Sequence, residues 1–63
     1  MKLNRIKLVL VEKGISQTQL AKDLGKSLSS VNAYYCNRTQ PSLDVLKQIA
    51  YILSVNMKDL IVD

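Results

Sequence analysis

Residues 16–37, SQTQLAKDLGKSLSSVNAYYCN, decide the fold of this chain. Ser16 can cap a helix, and Gln19 follows it at the spacing of a capping box. That helix ends at Gly25, because glycine adopts without steric cost the left-handed backbone that stops a helix. Ser27 can cap the next helix, which runs to about the end of the segment. The connection is so short that the two helices must cross at a steep angle.

A further helix precedes this segment. Its apolar residues recur at spacings of three and four, which is the period of an α-helix. Gly14 follows Lys13 and can end this first helix. The buried stripe of the helix consists of Leu3, Ile6, Val9 and Leu10.

Two more helices follow the segment. Residues 37–41 form a polar loop that holds the single proline of the chain. Ser42 can cap a fourth helix, and Asn56 can cap a short fifth helix that ends near Leu60. The sequence therefore predicts an all-α fold, a compact domain of five helices. The apolar stripe of the fourth helix is Leu43, Leu46, Ile49, Ala50 and Leu53.

Composition limits the classes of function. The 63 residues provide for one small domain, 1–63, in which a substrate cleft is hard to fit. The chain has no histidine and one cysteine, Cys36, which excludes a metal site built from those residues and an intramolecular disulfide. No serine has a plausible base, and the five carboxylates form no pair. We therefore expect no enzyme, no metal and no cofactor.

The chain has the features of a cytoplasmic protein. A single cysteine fits a reducing compartment. No apolar run approaches the roughly 18 residues of a membrane span, so we expect no membrane partner. The N-terminal segment carries charges among its apolar residues and does not have the pattern of a signal peptide.

Charge is distributed unevenly along the chain. Residues 1–38 hold seven cations and two anions, a net charge of +5, and residues 39–63 hold two cations and three anions, a net charge of −1. Together they make the net charge of +4 of the whole chain. A basic part beside a nearly neutral part favours a polyanion as partner, although a solvated surface can carry the same charge.

The helix after Gly25 has side chains that a DNA groove admits. Its outward positions are small or polar, and such side chains let a helix approach the base edges of the major groove. The preceding helix begins near Gln17, where its N–H groups can face a phosphate. Arg38 lies in the polar loop beyond. The outward residues are Ser27, Ser29, Ser30, Asn32 and Ala33.

An ordered motif runs through the chain from about Ile6 to Leu60. Its pieces are Ser16-Gln17, Leu20-Ala21, Leu24-Gly25, Ser27 and Val31, then Pro41-Ser42-Leu43, Leu46, Ala50-Tyr51-Ile52-Leu53 and Val55. This set resembles the phage repressor and Cro-type helix-turn-helix domain, the XRE family. The resemblance implies a lambda-repressor-like fold with its helix-turn-helix at about 16–37. It also implies a bacterial or phage regulator of transcription, usually a repressor, that binds double-stranded DNA as a homodimer on a palindromic operator.

The resemblance assigns roles to individual positions. Gln17 matches the residue that opens the second helix and contacts a phosphate. The positions that face the bases are those of Ser27, Leu28, Ser29, Asn32 and Ala33. The loop positions that touch the DNA backbone are those of Asn37, Arg38, Thr39 and Gln40.

Several of these residues have an alternative interpretation. Asn32 can pair with adenine through both atoms of its amide, or be a solvent-exposed residue. Leu28 can contact a thymine methyl group or simply lie on the surface. Arg38 can contact a phosphate or be a solvated loop charge. We interpret Cys36 as a small, partly buried residue rather than a redox switch.

The C-terminal part, about 52–63, has more apolar residues than one small core can hold. Contiguous exposed apolar surface usually marks an interface. Because the family dimerises through its C-terminal helices, we assign these residues to a twofold dimer contact, while Val55 can instead complete the core. The interface residues are Ile52, Met57, Ile61 and Val62.

Other functions remain open. The same fold can serve as a protein-interaction module that binds no DNA, or as an antitoxin, and a regulator of this kind can also control a restriction–modification system. An interaction module would carry acidic or bulky residues on its third helix, whereas this chain has Ser29, Ser30 and Asn32 there. We expect no small-molecule effector.

One departure from the family yields a prediction. The family often pairs an arginine in its first helix with a glutamate late in the third, and here the two positions are Leu10 and Tyr35. Apolar packing can replace a buried ion pair without loss of stability. We therefore expect Leu10 and Tyr35 to touch, and the double change Leu10→Arg with Tyr35→Glu to be tolerated better than either single change. Thermal unfolding of the three variants checks this, and simply additive losses would contradict it.

Overall fold

The computed structural model describes residues 3–62, which form four α-helices, one 3₁₀-helix and a two-stranded sheet. Strands β1 (Leu3–Asn4) and β2 (Ile61–Val62) pair antiparallel, so the two ends of the described chain lie side by side. No helix within this range is long and apolar enough to cross a membrane. The helices are α1 (Ile6–Lys13), α2 (Gln17–Leu24), α3 (Leu28–Tyr35), α4 (Leu43–Leu53) and the 3₁₀-helix (Met57–Leu60).

Serine caps begin three of the helices, as the sequence predicts. The hydroxyl oxygens of Ser16, Ser27 and Ser42 accept hydrogen bonds from the backbone N–H three residues on, at 3.0, 3.1 and 3.3 Å. Each bond satisfies an N–H that the helix itself leaves without a partner. The Gln19 side chain forms no reciprocal bond with the Ser16 backbone N–H, and its Nε2 instead donates to Asp23 Oδ1 at 2.9 Å.

The expectation of a fifth α-helix is wrong for the residues that the structure describes. The segment that Asn56 opens is a 3₁₀-helix of four residues, closed by reciprocal hydrogen bonds between Asn56 and Asp59. Leu60 at its end is fully buried, and Ile61 is extended and begins β2. Because the chain turns into a strand directly after this anchor, the segment is limited to the short, tighter form of helix.

The first and third helices are shorter than expected. The expectation that Leu3 belongs to the buried stripe of the first helix is wrong, because Leu3 lies in β1 and is 42% exposed. Asn4 Oδ1 accepts a hydrogen bond from the Ile6 N–H at 3.0 Å, and the helix starts after Asn4. The third helix ends at Tyr35, since Asn37 has a left-handed backbone with φ of +59°. Asparagine tolerates that conformation better than most residues.

One hydrophobic core, to which every α-helix and the 3₁₀-helix contribute, holds the fold together. Burial of a large apolar side chain stabilises the fold by about 1.5–3 kcal/mol. Tyr34 packs partly against this core, and so does Val55, as the sequence suggests. The largest fully buried side chains are Ile6, Leu10, Leu20, Val31, Ile49, Leu53 and Leu60.

Tyr35 connects α3 with α1. It is half-buried against the core to which Leu10 belongs. The Lys7 ammonium lies 5.8 Å from the centroid of the Tyr35 ring, within reach of a cation–π attraction. Direct contact between Leu10 and Tyr35, and the coupling of their substitutions, stay predictions.

Asn4 is buried, with 8% of its surface exposed, and it connects β1 by hydrogen bonds to the loop between α3 and α4. Its Nδ2 donates to the Tyr34 carbonyl at 2.9 Å and to Gln40 Oε1 at 2.8 Å. Its backbone N–H donates to Asn37 Oδ1 at 2.8 Å, and Asn37 Nδ2 donates back to the Asn4 carbonyl at 3.3 Å. One asparagine therefore both starts α1 and positions the loop that follows α3.

We expect Asn4→Ala to lower the free energy of unfolding by about 1–3 kcal/mol, because it leaves the buried Ile6 N–H without its partner and removes the hydrogen bonds that Asn4 Nδ2 donates to the Tyr34 carbonyl and Gln40. Urea unfolding measures the loss. The control is Gln48→Ala, an exposed position of α4, which should change stability by less than about 0.5 kcal/mol. Equal stabilities of the two variants would show that the network around Asn4 is unimportant for folding.

Candidate nucleic-acid interface

The turn between α2 and α3 fixes how these two helices cross. Gly25, with φ of +68°, ends α2, and Ser27 caps α3 two residues later. Leu20 and Ala21 of α2 are buried in the same core as Val31 of α3. Because α3 packs inward through Val31, its other side is left for solvent.

The exposed side of α3 is made of small and polar side chains, as the sequence predicts. The Ser27 hydroxyl donates to Ser30 Oγ at 3.0 Å besides capping the helix, so it already has partners within the protein. Leu28 is 50% exposed and interrupts the polar surface with one apolar side chain. Of the predicted base-facing residues, Ser27, Leu28 and Ser29 are exposed, and Asn32 and Ala33 are half-buried.

Asn32 joins three parts of this surface. Its Nδ2 donates to Gln17 Oε1 at 3.0 Å, and Arg38 Nη2 donates to its Oδ1 at 2.8 Å. These bonds link the first residue of α2, the middle of α3 and the loop after α3. The family resemblance predicts that all three residues contact DNA, but their spacing along the chain does not show that they bond to one another.

Cys36 lies beside this network. The expectation that it is partly buried is wrong, because it caps the end of α3 and is exposed. Its Sγ lies 3.9 Å from Asn32 Oδ1, which is a weak contact.

The loop after α3 has inward and outward residues. The side chains of Asn37 and Gln40 both bond to β1, and Gln40 Nε2 also donates to Asn37 Oδ1 at 3.1 Å. Arg38 and Thr39 are exposed, and their backbone N–H groups donate to the Ala33 carbonyl at 2.9 and 3.4 Å. The predicted contacts of Asn37 and Gln40 with DNA remain untested, while their side chains have a clear role in holding the loop.

The predicted dimer residues contribute to the core. Ile52, Met57 and Ile61 are half-buried and pack against it, and Val62 is half-buried in β2. Their remaining exposed surface is therefore smaller than the sequence alone suggests. Part of the apolar excess completes the fold, since the 3₁₀-helix and β2 need their own apolar contacts.

The outward face of α4 carries two exposed apolar side chains, Leu43 and Tyr51. The expectation that Leu43 belongs to the core-facing apolar stripe of this helix is wrong. Tyr51 is 87% exposed, and Leu43 is 68% exposed. Tyr51 and Ile52 line a shallow cleft together with Asp44 and Lys47. The spacing of four between Leu43, Lys47 and Tyr51 is the signal that places them on one helix face.

Comparison with known proteins agrees with this geometry. Residues 5–63 match the family model of the Cro/C1-type HTH DNA-binding domain. A crystal structure of a Bacteroides fragilis protein, described as a candidate DNA-binding protein, is similar with a TM-score of 0.96 and 44% sequence identity, over 98% of this chain and 100% of that chain. Among curated proteins, no sequence matches.

The fold and the exposed side of α3 define a helix-turn-helix DNA-binding domain. This chain belongs to the Cro/C1-type helix-turn-helix family. The resemblance to the Cro-type domain that the sequence motif indicates is thereby confirmed.

Proposed function

We propose that this protein is a transcription regulator that binds double-stranded DNA in a sequence-specific manner. The observation that carries the proposal is the side of α3 that faces away from the core, where Leu28 and Ser29 are exposed and Asn32 bonds to Gln17 and Arg38. A helix with this surface can enter the major groove, and donors on either side of it can hold the DNA backbone.

The proposed contacts divide into two kinds. Ser29 and Leu28, which are exposed, and Ala33 behind them face the base edges, where Leu28 can meet a thymine methyl group. Gln17 at the start of α2 and Arg38 in the loop contact phosphates. Base contacts select the sequence, while phosphate contacts set the position of the domain on the duplex.

We propose that the protein acts as a repressor by occupying its operator. A bound domain of this kind excludes other proteins from the same stretch of DNA. This mechanism needs only the DNA-binding surface described above.

We propose that the working unit is a homodimer. One recognition helix covers too few base pairs to select a site in a genome, whereas two helices about 34 Å apart can read both halves of a palindrome. Ile52, Met57, Ile61 and Val62 form the twofold contact in this proposal. Tyr51 lies next to Ile52 on α4 and, at 87% exposure, extends the available apolar surface.

We expect the DNA affinity to fall as salt rises, with a log–log slope of about −0.9 for each phosphate contact. Arg38→Ala should weaken binding to every duplex and flatten the slope by about one contact, because it removes one cation from the interface. Fluorescence anisotropy with a labelled duplex, at a series of salt concentrations, measures both quantities.

The matched control is Lys58→Ala, which removes a cation from the 3₁₀-helix, an element that packs on α4 and β2. This variant should keep the wild-type slope. A wild-type protein that binds no duplex even at low salt would contradict the proposed function and favour a protein-interaction module.

The dimer proposal is tested by Met57→Asp, which should lower dimer content and operator affinity together because it places a charge in the apolar contact. Met57 is half-buried against the core, so Tyr51→Asp provides a second variant at an almost fully exposed position. Circular dichroism should show helical content close to that of the wild type for both. Analytical ultracentrifugation with and without operator DNA measures the assembly, and one wild-type chain per operator at saturation would exclude the dimer.

A further inference from the structure

We propose that Asn32 is a positioning residue that holds Gln17 and Arg38 in place for their phosphate contacts and reads no base itself. The inference rests on the DNA-binding function proposed above. It gives Asn32 a different role from the one that its place on the recognition helix suggests, and it identifies a single side chain that prepares both edges of the interface.

Both ends of the Asn32 amide are occupied by partners within the protein. Nδ2 donates to Gln17 at 3.0 Å, and Oδ1 accepts from Arg38 at 2.8 Å. Bidentate pairing with adenine requires the same two atoms to turn together toward the base. Because these atoms already face residues of two other elements, and because the residue is half-buried, base pairing would require both bonds to break.

Arg38 fixes the direction of the whole chain of hydrogen bonds. A guanidinium group can only donate, so the oxygen of the Asn32 amide has to face Arg38. The nitrogen of that amide then faces Gln17, which must accept through Oε1. As a result, the Gln17 Nε2 group, which is a donor, is turned away from Asn32 and can donate to a phosphate oxygen.

The hydrogen bond to Asn32 also orders the Arg38 side chain before DNA binds. Its side chain is exposed, and a free arginine side chain loses much conformational entropy when it binds. The bond to Asn32 restricts the guanidinium before DNA arrives, and the Arg38 N–H is held by the Ala33 carbonyl at 2.9 Å. A side chain that is already ordered pays less entropy on binding, so affinity rises without a new contact.

The binding test compares Asn32→Ala, Arg38→Ala and the double variant on two duplexes. One duplex is a fragment that the wild-type protein selects from a genomic pool, and the other is a scrambled duplex of equal length and composition. Asn32→Ala should weaken binding to both by the same factor, about tenfold, because it loosens phosphate contacts. The double variant should bind more weakly than Arg38→Ala alone by clearly less than tenfold, since the part of the Asn32 effect that acts through Arg38 is already lost and only the part that acts through Gln17 remains.

Ser29→Ala serves as the matched control. It is an exposed position on the same helix and stands among the proposed base contacts. Ser29→Ala should lower the affinity for the selected duplex alone. If Asn32→Ala instead loses affinity for the selected duplex alone, and the loss follows a single base pair, Asn32 is a reader and the inference is overturned.

A measurement without DNA separates this inference from the proposed function. The ¹⁵N relaxation of the Arg38 side-chain Nε–H gives its order parameter in the free protein. We expect the order parameter to fall in Asn32→Ala and to be retained in Asn32→Asp, whose carboxylate still accepts from Arg38. An order parameter that is unchanged in Asn32→Ala would overturn the positioning role even if DNA binding is established. Failure of the wild-type protein to bind either duplex would instead contradict the proposed function, on which the inference depends.

Discussion

The structure depends on the close crossing of α2 and α3, which a connection of only three residues imposes. Gly25 supplies the left-handed turn that a side chain would strain, and Ser27 begins the next helix at once. Ala21 and Val31 are then buried in one core, so the inner side of α3 is fixed. The outer side of α3 is exposed as a consequence of that packing, and the proposed DNA contacts follow from it.

A hydrogen-bond network around Asn4 holds the loop that follows α3. Asn4 is buried and bonds to Asn37, Gln40 and the end of α3, so the pairing of β1 with β2 and the placement of this loop belong to one network. Buried polar groups are tolerated when they are fully paired, and such networks give a unique arrangement. The exposed Arg38 therefore stands on a loop that is anchored from inside the protein.

Local signals in the sequence predict most of the helices, because capping serines and helix-ending glycines act within a few residues. They predict the short helix after Asn56 but not its 3₁₀ form, and they do not predict the strand at Leu3–Asn4, which pairs with the opposite end of the described chain. The proposed DNA-binding surface can likewise be predicted from the sequence only in part. Its exposed small residues follow from helical spacing, whereas the bonds of Asn32 to Gln17 and Arg38 arise only once three elements are packed together.

We propose that DNA meets this domain through α3 and the residues on either side of it. Titration of ¹⁵N-labelled protein with a random-sequence duplex at low salt, followed by two-dimensional NMR, tests it directly, since the electrostatic part of binding does not require the operator. We expect the largest chemical-shift changes on Gln17, Ser29 and Arg38. Changes concentrated on the exposed faces of α1 or α4, with α3 unaffected, would contradict it.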